Sequence, residues 1–98
     1  MKLQPDTAHD AAETIALKAL AFLASDNGRL GRFLALSGIG LGELRTQAGK
    51  PHMLTGVIDH VMQDETLLMV FAAEAGLKPE AIAAAHRTLS GPPHERSI

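Results

Sequence analysis

An all-α fold, a compact bundle of five or six short helices, is what this 98-residue sequence predicts. Three observations carry that reading. Apolar residues recur at spacings of three and four in the long segments, the mark of helices with a buried face. No stretch alternates polar and apolar residues as a half-buried strand does. Glycine, proline and aspartate fall where helices would stop and start.

The elements follow in order. Thr7, with Asp10 three residues on, approximates a capping box and predicts a helix start. Ile15, Ala16, Ala19, Leu20, Phe22 and Leu23 form its apolar side. Asp10, Thr14, Lys18 and Ser25 leave only a narrow polar strip, so this helix must be covered on several sides. Asp26-Asn27-Gly28 breaks it. Leu30, Phe33, Leu34 and Leu36 give a short second helix ending near Gly38, because glycine most easily takes the positive φ just past a helix. In the turn Gly38-Ile39-Gly40-Leu41-Gly42, Ile39 and Leu41 are expected to dock inward and hold the backbone.

Glu43 to Ala48 predicts a brief third helix closed by Gly49, and Pro51 suits the first turn of a fourth. Met53, Leu54, Val57, Ile58, Val61 and Met62 would be its buried face. Asp64 is placed to cap a fifth helix over Glu65 to Ala75, with Leu67, Leu68, Phe71 and Ala75 on one side and Gly76 as its stop. Pro79 begins a sixth, carrying Ala81, Ile82, Ala85 and Leu89 along one side. Residues 1–90 thus make one helical domain, and 91–98, with nothing to bury, a flexible tail.

The chain also echoes itself. Asp26, Leu30, Phe33, Ala35 and Gly38 return as Asp64, Leu68, Phe71, Ala73 and Gly76, at one offset (64 − 26 = 38). Pairs such as Ala19/Val57, Leu20/Ile58, Leu23/Val61 and Leu44/Ile82 keep their character without keeping the residue. The predicted halves are 15–45 and 53–83. Two units are too few for an open solenoid, so they must close on each other or on a second chain.

Composition sets the class. One domain is all that the length allows. Aromatics make up 3% of the residues, with no Trp or Tyr, so the core has to come from Ala, Leu, Ile, Val, Met and three Phe. With no cysteine there is neither disulfide nor thiolate chemistry, which suits a reducing compartment. A net charge of −2 gives no global attraction to nucleic acid or anionic membrane. Neither a signal peptide nor a membrane span is recognisable, and the reading is cytoplasmic.

Chemistry-bearing patterns are sparse. His9/Glu13 and His60/Asp64 are four apart and would share a helix face, as metal ligands can. No HExxH or comparable doubled pair supports them, and His60 aligns with Phe22 in the echo, which points to packing at a rim. The serines sit in no nucleophile motif. No catalytic residue, metal or cofactor is therefore expected.

Leu36-Ser37-Gly38-Ile39-Gly40 resembles the turn of helix-hairpin-helix DNA-binding motifs, where backbone N–H groups meet phosphate. Arg29, Arg32, Arg45 and Lys50, against Glu43 alone, give 29–50 a local +3. An anion or partner surface built from Arg29, Arg32, Gly38, Gly40, Arg45 and Lys50 is the candidate site. The plainer reading of the glycines is a helix stop and a turn, since glycine breaks are the commonest punctuation of helical chains.

Glu13 to Ala24, Leu30 to Gly38, and Phe71 to Leu77 with Pro79-Glu80 resemble domain-of-unknown-function family 3572, small helical bacterial proteins. The resemblance implies a short helical bacterial protein and supplies no ligand or activity. The function expected is a non-enzymatic interaction module whose partner is another protein or a second copy of itself. A non-specific nucleic-acid binder using residues 38–42, and a small enzyme or metal protein, are the alternatives.

Overall fold

A computed structural model describes residues 7–91. The expected flexible tail, from residue 92 onward, lies outside the described residues. Six helices run in order: α1 (Thr7–Ala24), α2 (Asn27–Ser37), α3 (Leu41–Gln47), α4 (Pro51–Met62), α5 (Glu65–Ala75) and α6 (Pro79–Ser90). No strand occurs among the described residues, so the all-α bundle holds.

The helix ends follow the predicted punctuation. Asp26 caps α2 by accepting from the Gly28 N–H at 2.8 Å and the Arg29 N–H at 3.4 Å. Asp64 caps α5 by accepting from the Leu67 N–H at 3.1 Å. Gly38 and Gly76 end these two helices in the left-handed region, with φ of 76° and 68°, where a side chain would strain the backbone. Pro51 and Pro79 open α4 and α6, where the missing N–H has no intrahelical partner in any case. Asp26→Ala and Asp64→Ala should each lower stability by about 0.5–2 kcal/mol, measured by chemical unfolding.

The offset of 38 runs through these boundaries. α1 and α4 end at 24 and 62, α2 and α5 span 27–37 and 65–75, and α3 and α6 start at 41 and 79. Contacts are reciprocal as well. Phe22 of α1 meets Phe71 of α5 with ring centroids 5.2 Å apart, and their counterparts, His60 of α4 and Phe33 of α2, also meet at 5.2 Å. A contact whose two partners exchange places in this way is what an approximate two-fold relation produces. The chain is a closed pair of similar units.

The shared core is wholly apolar, with Leu23, Phe33, Ile58, Val61, Phe71 and Ile82 among its buried side chains. α1 is covered by α6, α4, α2 and α5, as its wide apolar surface requires. Its Leu17 nevertheless stays 48% exposed. Ala12, Ala16 and Ala19 are buried on α1, and such small residues let helix axes approach closely. α6 breaks the symmetry. It packs on both α1 and α4, and the Thr55 hydroxyl of α4, 2.9 Å from the Pro51 carbonyl of its own helix, also lies 3.4 Å from the Leu89 carbonyl. Its counterpart α3 is a shorter helix, Leu41–Gln47.

Three local expectations change. α3 begins at Leu41 rather than Glu43, and Leu41, at the first helical position, remains 44% exposed. Leu44, one turn further into the helix, is the residue that α3 buries. Ile39 docks on the core as expected, and Met62 is partly rather than fully buried.

Candidate functional site

The reciprocal aromatic contacts each line a groove. The first groove, about 330 Å³, is lined by Lys18, Ala21 and Phe22 of α1 with Phe71, Glu74 and Ala75 of α5. The second, about 310 Å³, is lined by Gly56, Asp59, His60 and Gln63 of α4 with Phe33, Leu36 and Ser37 of α2. Adding or subtracting 38 converts the first set into six of the seven residues of the second, and Gln63 is the counterpart of Ser25. Matching positions therefore carry different side chains.

In the first groove the aromatic pair is covered by the protein's own side chains. The Arg29 guanidinium carbon lies 4.2 Å from the Phe22 ring centroid, a cation–π distance. The same guanidinium is 3.8 Å from Glu74 and 3.9 Å from Asp26.

The second groove has lost that arrangement. Leu67 stands at the position of Arg29 and Leu36 at that of Glu74. Leu36 is 66% exposed at the groove wall. Phe22 is replaced by His60, whose ring meets Phe33 edge-on, at 70°. The Nε2 of His60 is buried and has no hydrogen-bond partner. Burial of the imidazole, and then the Arg32 guanidinium, hold its pKa below the ordinary histidine value against the opposing pull of Asp64 and Asp59. The ring is thus neutral near pH 7 and offers one nitrogen as an acceptor.

Asp59, where the first groove has Ala21, joins a polar cluster at the rim. Its Oδ1 lies 3.1 Å from Nε2 of His86 on α6, and its Oδ2 accepts from Nε2 of Gln63 at 2.7 Å. Ser37 donates to the Leu34 carbonyl at 3.4 Å and accepts from the Ile39 N–H at 3.2 Å.

The six residues selected from the basic segment are placed differently. Arg29 lies on Phe22 and near Glu74, two residues that line the first groove. Arg32, Gly38, Gly40, Arg45 and Lys50 are all exposed. The Gly38 N–H donates to the Leu34 carbonyl at 3.0 Å and the Ile39 N–H to Ser37, so two N–H groups of the turn are already bonded within the chain. Of the metal pairs, His9 and Glu13 approach to 3.5 Å and with Asp10 form the one group of metal-ligand spacing among the described residues. His60 and Asp64 belong to no such group.

None of the seven residues lining the second groove belongs to the candidate surface that the sequence points to. The signal available was His60, the polar residue standing opposite a phenylalanine in the echo. No curated protein and no solved structure matches the chain. The family model described as a protein of unknown function (DUF3572) matches residues 9–92, from the first turn of α1 to just past α6, and the chain belongs to that family.

Proposed function

We propose that the protein is a non-enzymatic interaction module that docks a partner protein in the second groove, beside His60. One observation carries this reading: the buried, unpartnered Nε2 of His60 sits where the other half places a phenylalanine. Leaving a buried polar nitrogen unsatisfied costs about 1–3 kcal/mol, and a phenylalanine at this spot is already compatible with the same backbone. A ligand group that displaces the groove wall and completes the bond would remove that cost. The exposed Leu36 beside it adds the apolar area that contacts use. The absence of cysteine and the family resemblance support work in a bacterial cytoplasm.

The nucleic-acid reading draws on the exposed Arg32, Arg45 and Lys50, yet the turn it needs has two of its N–H groups bonded internally. An enzymatic reading would need a nucleophile or a poised acid–base pair, and the rim cluster of Asp59, Gln63 and His86 is bonded within itself.

His60→Phe tests the proposal through stability and capture together. Removing the unsatisfied nitrogen should raise stability by about 1 kcal/mol near pH 7, roughly 4–8 °C in Tm for a domain of this size. The gain should grow on acidification. With its folded pKa depressed, His60 binds protons more readily in the unfolded chain, so wild-type stability falls as pH drops below the unfolded histidine value of about 6.5. The variant lacks that loss, and its Tm advantage should widen between about pH 7 and pH 5. A photo-crosslinking residue at position 36 should trap a partner in the native cell with wild type and not with His60→Phe. Equal trapping by a folded His60→Phe protein would overturn the docking site.

A further inference from the structure

The two grooves differ in a way that selects an occupant. Groove one presents an aromatic pair, a carboxylate from α5 and the chain's own guanidinium over the ring. Groove two keeps an aromatic edge in Phe33 and His60 and moves the carboxylate to the opposite rim, Asp59 of α4. None of its seven lining residues is Lys or Arg, and no guanidinium is found on its rings as Arg29 is on Phe22, although Arg32 lies close enough to act on His60. We infer that the second groove receives an arginine side chain from the partner protein, in a contact that rests on the docking reading above.

Each part of the groove fits one part of that side chain. The lining offers an accessible acceptor in the Asp59 carboxylate, whose oxygens keep lone pairs beyond those used by His86 and Gln63, and behind it the buried Nε2 of His60, which can accept once the ring is uncovered. A guanidinium brings five N–H donors in a flat, weakly hydrated head that stacks on rings. Leu36, exposed at the wall, offers cover for the methylene stem. Glu74 occupies that wall position in the other groove, and there the guanidinium is the chain's own.

The charges facing His60 permit a cation. Arg32 opposes one, whereas Asp59 and Asp64 favour it, so with the ring neutral these groups sum to −1. His86, across from Asp59 on α6, bonds the carboxylate without lining the groove. A lysine would meet the same charge, yet its ammonium matches neither the flat aromatic edge nor two acceptors at once.

Titration of the isotope-labelled full chain with N-acetyl-arginine amide, N-acetyl-lysine amide and N-acetyl-leucine amide, followed by amide shifts in NMR to tens of millimolar, tests the inference. Arginine amide should move the Ser37, Asp59, His60 and Gln63 resonances saturably, with affinity at least about fivefold above lysine amide. Asp59→Asn, at an exposed rim, should keep the fold and weaken the arginine response by at least about fivefold. If leucine amide binds the groove as well as or better than arginine amide, the guanidinium assignment is wrong and docking by an apolar anchor stands. If none of the three moves these resonances, both the assignment and the docking site fail.

Discussion

Phe33→Ala and Phe71→Ala should each destabilise the fold by about 3–5 kcal/mol, measured by urea unfolding of the purified variants. Both rings are essentially solvent-free, at 0% and 1% exposure, so truncation removes transfer free energy and leaves a cavity that close-packed neighbours cannot fill. Domains of this size are held by about 5–15 kcal/mol, so either variant sits near the edge of folding. The milder Phe33→Leu and Phe71→Leu keep the comparison measurable. Because the rings occupy equivalent places against His60 and Phe22, the two losses should be similar. A large loss at one position and a small one at the other would deny the two-fold relation of the halves.

Ile82→Ala should cost about 2–5 kcal/mol, and more than Leu44→Ala at the matching position of the other half. Ile82 is fully buried on α6, which packs on both α1 and α4. Leu44 is 6% exposed on the short α3, where less structure surrounds the missing methyls and the site relaxes more easily. Thermal unfolding of the two variants side by side decides it. Equal costs would mean that α3 is as central to the core as α6.

Much of this architecture was legible because its signals are local. A single residue type at one position, Asp26, Gly38, Pro51, Asp64, Gly76 or Pro79, meets a backbone requirement that few others can. The start of α3 was not legible, since the run of glycines at 38, 40 and 42 gave a turn signal to residues that in fact begin the helix. Arg29 misled in another way. In sequence it joins a basic segment, but only the fold shows its guanidinium lying on Phe22 beside Glu74, some forty-five residues away. The second groove was least legible, because Phe33, Leu36 and Ser37 reach Gly56, Asp59 and His60 across a junction of two helices. The echo nevertheless exposed His60 as the odd member of an aromatic pair. Internal comparison of this kind singles out positions where the two halves differ in chemistry at matching places.

The packing of α6 on α1 also governs how the molecule comes into being at the ribosome. The first helix emerges with an oily flank whose main cover is the sixth, which leaves the exit tunnel only after the five helices before it. The nascent chain must therefore carry the part of that flank that α6 covers exposed until α6 itself has emerged. The leading three-helix unit, released alone, would lack its cover and be drawn to chaperones or to other copies of itself.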